Sequence, residues 1–279
     1  MRKTRLFKFL LPCVAVALPI ALIGYLHPTK AQAQSVHLRM GNPSGAGTST
    51  SNYLLSKFQY ALSYSCNKGI ANWVSWQLNS SWLGSTPRQD NFRADTTLPS
   101  GCYRVGGSDY SGSGFDRGHM TPSADRTKTV TDNSATFLMT NMVPQSPDNN
   151  QGPWAVLEAY CRTLVSQGKE LYIISGSYGS GGTGSNGTKF TIANGNVVVP
   201  NRIWKTIVVL PEPGTAASVT TSTRVISVNM PNTQGIRNND WRTYRVSVDS
   251  IEVNTGFNLL SNVSTSVQSV IESRVDTQP

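Results

Sequence analysis

Apolar positions along the chain fall into short runs separated by Gly, Pro, Ser and Asn. Residues 53–64 (YLLSKFQYALSY) and 71–79, the latter holding Trp73, Val74 and Trp76, have the aromatic and aliphatic content of half-buried strands. Residues 136–144 (TFLMTNMVP) predict a buried strand, and further strands are predicted at 170–175, 203–210 and 223–230. Helical spacing appears at 153–167 and again at 263–274. The first helix is well marked, because Gly152-Pro153 suits a first helical turn and Gly168 suits a stop. Residues 176–199 are rich in Gly, Ser, Thr and Asn and predict a long surface loop or hairpin. Trp73, Trp76 and Trp82 lie in apolar stretches, which favours core packing over base stacking.

The N-terminal run is of another kind. Arg2, Lys3, Arg5 and Lys8 precede an apolar stretch from Phe9 to about Leu26, and Ala31-Gln32-Ala33 has the small-x-small pattern of a cleavage site. Residues 1–33 are therefore expected to be a signal peptide, with a retained anchor as the rival, and the product to be secreted or periplasmic. Residues 34–279 are expected to be one domain, since no repeat, charge run or proline-rich linker divides them, with 34–52 loose. The formal charge of +9 shrinks accordingly: the leader holds five Lys/Arg and no acid, so the remainder is nearer +4. That balance is compatible with a polyanionic partner but weak support for one.

Cys66, Cys102 and Cys161 remain after the leader. Cys161 lies on the apolar side of the 153–167 helix with Trp154, Leu157 and Leu164, as a buried free thiol would. Cys66 with Cys102 is then the expected disulfide.

Only His37 and His119 survive cleavage. His37, in the loose N-terminal stretch, is expected to be solvated. Two histidines cannot build a multi-histidine zinc site, and no C-x-x-C pair exists. No G-x-S-x-G elbow or Walker loop occurs, and the glycines at 176–187 belong to a Gly/Ser/Thr/Asn run read as loop. His119 stands in "GFDRGHM", beside Asp116 and Arg117. A nearby guanidinium disfavours imidazolium, and neutral imidazole is a general base. Downstream, "NMVPQSPDNNQGPWAVLE" sets Asn141, Asp148, Asn149, Asn150 and Glu158 around the helix start. Such oxygen donors suit Mg²⁺, Mn²⁺ or Ca²⁺ rather than zinc. The glycine of this stretch falls one position early for an EF-hand. Glu158 and Arg162, four apart, would ordinarily form an ion pair on the helix surface.

The DRGH segment, the N-N-x-x-x-W-x-x-x-E helix start and their spacing resemble the DNA/RNA non-specific endonucleases of the ββα-metal class. Asn150 follows His119 by 31 residues and Glu158 follows it by 39. The resemblance runs from about Tyr53 to Val275. It implies an α+β fold: a ββα-metal core with a central, mostly antiparallel sheet flanked by helices. It implies a metal-dependent endonuclease cutting both DNA and RNA to 5′-phosphate and 3′-OH ends. It makes His119 the general base and Asn150 the direct metal ligand. Glu158 would act on the metal through water. Arg88 (in "PRQDNF"), Arg117 and Arg162 would flank the scissile phosphate, with Asp116 orienting its neighbours. The implied ion is Mg²⁺, or Mn²⁺. The substrates would be held by their phosphate backbone, a monomer is expected, and a dedicated protein inhibitor is a further conceivable partner. The Cys66–Cys102 pair is not part of the family pattern. Two other readings use the same residues: a silent nucleic-acid binder on this scaffold, and an esterase pairing a serine with His119.

Overall fold

The computed structural model describes residues 35–279; the leader expected at 1–33 lies outside the described residues. The first half of the chain supplies β1 (Tyr53–Ser56), β2 (Ala61–Ser65), β3 (Ile70–Leu78), β4 (Asp116–His119) and β5 (Met142–Gln145). The second half supplies β6 (Lys169–Tyr178), the short β7 (Gly182–Gly184), β8 (Gly187–Lys189), β9 (Thr191–Ile192) and β10 (Val197–Val198), the long β11 (Arg202–Pro211) and β12 (Arg224–Pro231), and β13 (Arg245–Val246). Helices are α1 (Val130–Ala135), α2 (Pro147–Asn149), α3 (Ala155–Ser166), α4 (Val248–Thr255) and α5 (Thr265–Ile271).

Seven strands form one antiparallel sheet in the order β1-β2-β3-β6-β11-β12-β13. Both of its faces are covered, so its inner strands are buried along almost their whole length rather than alternating between buried and exposed. Val74, Trp76 and Leu78 join one core with Trp154, Leu157 and Leu164 of the α3 side. Trp73, Tyr172 and Trp204 join a second core with Leu38, Met40, Val248 and Ile251. Gly176 is paired with both Trp73 and Trp204. A methyl group there would lie 2.6 Å from the Trp204 ring, so glycine makes room for the indole.

The apolar pattern locates the sheet well and its interruptions less well. Residues 53–64 are a hairpin, closed where Lys57 N–H donates to Tyr60 O at 2.9 Å. Residues 136–144 are not one strand. Asn141 donates to the carbonyls of Thr121 and Thr136 and accepts from Thr121 N–H, all at 2.9 Å. These side-chain bonds hold a tight turn at Met139–Asn141, and β5 begins only after it. The 176–199 segment contains the end of β6 and the hairpins β7–β8 and β9–β10. The C-terminal helix is shorter than 263–274, and α4 was not foreseen. Cys66 and Cys102 are bonded and Cys161 is a buried free thiol, as expected.

Leu38, Met40 and Ala46 pack into the second core, and His37 is not solvated. His37 is 1% exposed, in a short turn capped by Ser35 and laid along β3. Gln77 N–H donates to its Nδ1 at 3.1 Å, so Nε2 carries the proton that goes to Phe58 O at 2.8 Å. Burial and then the Arg126 guanidinium push its pKa down to about 3. The folded value is thus below the unfolded one, and the unfolded chain binds the extra proton between about pH 3 and 6.5. Stability from this group is complete above pH 6.5. It falls with pH through that window, by up to about 1.4 kcal/mol per pH unit. Urea unfolding at pH 7 and pH 5 checks this: His37→Gln, which keeps a donor for Phe58 O, is expected to flatten the acid slope by nearly one proton.

Candidate active site

Strands β4 and β5 pair in antiparallel register, Asp116 opposite Gln145 and His119 opposite Met142. The strand exchange dictates the glycine of DRGH. A Cβ on Gly118 would lie 2.6 Å from Gln145 Cβ and closer still to its Oε1. After β5 the chain enters α2 and then a widened turn, Asn150–Trp154, which leads directly into α3. Widened turns of this type recur at functional sites. Its cause is legible in space: Gly152 backs onto the Arg237 backbone, where a Cβ would sit 2.5 Å from the carbonyl oxygen. Asn150 is the first residue of that turn.

Asp116 fixes the orientation of Asn150. Its Oδ2 accepts from Asn150 Nδ2 and from Gln151 Nε2, each at 2.8 Å. The amide nitrogen is thereby assigned, and Oδ1 is left as an acceptor with no hydrogen bond among the described residues. A hard cation takes such an oxygen. Asp116 and Asn150 line a cleft of about 360 Å³ together with Arg88, Asp90, Phe92 and Arg117. Asp116 does not pair with its neighbour Arg117.

His119 stands behind the cleft wall at the end of β4, 8% exposed. Its ring is edge-on to Phe92 and Phe137, with centroids at 5.6 and 4.9 Å. Arg117 lies over the Phe92 ring at 4.2 Å and Arg88 over Phe137 at 4.9 Å. Burial first, then Arg88 and to a smaller degree Arg117, push the His119 pKa down to about 3, while the Arg117 backbone opposes them. Burial and Arg88 thus outrank Arg117 among the influences that favour the neutral ring. Nε2 is buried with no hydrogen-bond partner among the described residues, which leaves its lone pair uncommitted.

Glu158 and Arg162 lie further along α3 and do not line the cleft. They do not pair with each other as the spacing suggested. Lys205 Nζ is 3.4 Å from Glu158 Oε1, and Arg162 is 2.9 Å from Asp125. Lys205 and Asp125 are almost wholly buried, so their need for a counter-charge wins over a helix-surface pair. Burial raises the Glu158 pKa and Lys205 is the largest opposing influence. Asn141, Asp148 and Asn149 are engaged elsewhere. Asn141 braces the turn before β5, Asp148 accepts from Gly235 N–H and Arg237, and Asn149 bridges Gln145 and Pro231. Sequence reasoning missed Phe92, Phe137, Asp125 and Lys205. The lysine had a signal, since it interrupts the otherwise apolar run IWKTIVVL.

Two antiparallel strands, the first ending in a histidine, followed by a widened turn that offers an oriented amide oxygen and leads into a helix, define the ββα-metal nuclease fold within an α+β domain. Comparison with known proteins agrees. The fold matches the solved "Crystal structure of the EndoG/EndoGI complex: Mechanism of EndoG inhibition", with a TM-score of 0.68 over 82% of this chain and 91% of that one, at 24% identity. The family model for DNA/RNA non-specific endonucleases matches residues 41–266. A "Nuclease" of Nostoc sp. is 55% identical over 94% of this chain and 97% of its own length. Human "Endonuclease G, mitochondrial" is 29% identical over 75% of this chain and 70% of its own length. The chain belongs to the DNA/RNA non-specific endonuclease family and is a hydrolase acting as an endonuclease.

Proposed function

We propose that this nuclease is metal-dependent and indifferent to the sugar, hydrolysing DNA and RNA phosphodiesters to 5′-phosphate and 3′-OH ends with His119 as general base. One observation carries the reading: an uncommitted imidazole nitrogen and an amide oxygen held open by Asp116 stand on the two arms of one strand–strand–helix unit. Neutral His119 takes a proton from the attacking water at Nε2. Arg88 and Arg117, stacked on the two phenylalanines that hold the imidazole, reach the cleft and bind the phosphate. Arg162, held by Asp125, contributes positive charge from α3. Asn150 Oδ1 would hold the divalent cation, Mg²⁺ or Mn²⁺, with Glu158 acting through water. When bound, that cation stabilises charge on the phosphorus oxygens and the departing 3′ oxygen. Phosphate contacts carry no base information, so cleavage follows salt rather than sequence.

The same reading extends to context. The leader pattern at 1–33 and the Cys66–Cys102 bond support export, with cleavage near Ala33 and a secreted or periplasmic product. The enzyme acts as a monomer in this reading. The relative solved with EndoGI makes a protein inhibitor a reasonable class of partner.

Digestion of plasmid and RNA across a metal series, with end-group analysis, tests the proposal. Chelation is expected to stop both activities and Mg²⁺ or Mn²⁺ to restore them. Asn150→Ala is expected to lose most activity while the metal-free thermal midpoint stays within a degree or two. Full cleavage in EDTA, or early unfolding of the metal-free variant, would reject the assigned role.

A further inference from the structure

Across the sheet from the active site, α4 and the end of α5 bring three carboxylates together. One oxygen each of Asp249, Glu252 and Glu272 lies within 4.8 Å of the others. No Lys or Arg forms an ion pair with any of them among the described residues. Asp249 and Glu252 alone would be unremarkable, because acids near a helix start are common and Ser247 already caps α4. Glu272 is different. It is 5% exposed, and its Oε1 is buried with no hydrogen-bond partner among the described residues. A buried, unpartnered carboxylate oxygen is costly unless something supplies positive charge. The chain also holds it there: Glu272 N–H donates to Gln268 O at 2.8 Å, and Asp249 N–H donates to Glu272 O at 3.1 Å. Glu252 is positioned by Leu259 N–H, which donates to its Oε1 at 2.6 Å. The α5 end is thus tied to the α4 start with the acids converging.

We propose that Asp249, Glu252 and Glu272 form a second divalent-cation site, remote from the catalytic cleft and sized for Ca²⁺. Calcium takes six to eight oxygens at about 2.3–2.6 Å, so an ion can bridge ligands up to about 5 Å apart on opposite sides. Three carboxylates supply much of that shell, and water fills the exposed Asp249 side. Mg²⁺ demands shorter bonds and a stricter octahedron, and it fits this spread less well. Burial and the charges of Glu252 and Asp249 push the Glu272 pKa up to about 7, which accords with a group waiting for a counter-charge. The consequence of binding is structural: the ion staples α4 to α5 over the second core.

The test uses EDTA-stripped protein, CaCl₂ and MgCl₂ as probes, and calorimetric titration with thermal unfolding as readouts. Wild type is expected to bind Ca²⁺ saturably with a Kd below about 1 mM, more tightly than Mg²⁺ at this site, and to gain several degrees of thermal midpoint. Asn150→Ala is expected to keep that response, which separates it from the catalytic ion. Glu252→Gln with Glu272→Gln is expected to abolish it. Should that double variant fold poorly, the exposed Asp249→Asn decides, with an expected loss of about ten-fold in affinity. No Ca²⁺ binding in Asn150→Ala, or unchanged affinity in Asp249→Asn, would overturn the site.

Discussion

Replacing His119 by alanine is expected to lower DNA and RNA cleavage together, by about 10²–10⁴-fold, the range for loss of a general base. The proposed mechanism treats the two sugars alike. An enzyme using the RNA 2′-OH as nucleophile needs a base and an acid. Here His37, the other described histidine, is buried with both ring nitrogens engaged. A single base activating external water does not need the 2′-OH, so both substrates are expected to share one path and one kind of product end. Binding is expected to survive, because Arg88 and Arg117 remain in the cleft. The ring's removal leaves a slot between Phe92 and Phe137, and added imidazole is expected to restore part of the rate there. Rates on matched DNA and RNA, with end-group analysis, check the claim. A 2′,3′-cyclic phosphate, or one activity persisting while the other vanishes, would refute the shared mechanism.

How legible was this site in the chain? His119 was conspicuous because histidine is so scarce. Asn150 and Glu158 followed from the spacing that the family resemblance carries. Their surroundings did not follow, since those depend on contacts between distant residues. Gly152 meets Arg237, and the widened turn presenting Asn150 depends on that meeting. Phe92 and Phe137 converge on the imidazole from loops 45 residues apart in sequence. His37 lies in a Gly/Ser/Thr-rich stretch that reads as loose, yet the edge formed by β3 and Phe58 captures it. The strands were legible because a sheet covered on both faces demands continuous apolar runs. The 136–144 turn was not, because Asn141 side-chain bonds replace the strand ladder there.

The second large effect concerns the buried charges behind the cleft. Asp125, Arg162, Glu158 and Lys205 form an alternating set whose formal charges cancel. Lys205 lies within 4.1 Å of the Trp154 ring centre and 5.5 Å of that of Trp76. Little water reaches it, as it is 1% exposed. Lys205→Met keeps the volume and removes the charge. Glu158 is then left largely buried without its main partner. Breaking a buried pair from one side typically costs about 3–5 kcal/mol, and the nearby Arg162 places this case at the low end, about 3 kcal/mol. For a domain of this size that is a fall of roughly 6–12 °C in thermal midpoint. Activity is expected to fall as well, because Glu158 relieves its isolation by taking up a proton. Adding Glu158→Gln to Lys205→Met removes the stranded charge, and most of the lost midpoint is expected to return. Cleavage is not expected to return with it, because the carboxylate is still missing. Thermal scans and rates on the two single variants and the double variant separate these outcomes. If Lys205→Met melts like wild type, the lysine is a spectator; if the double variant regains activity, Glu158 does no chemistry through its charge.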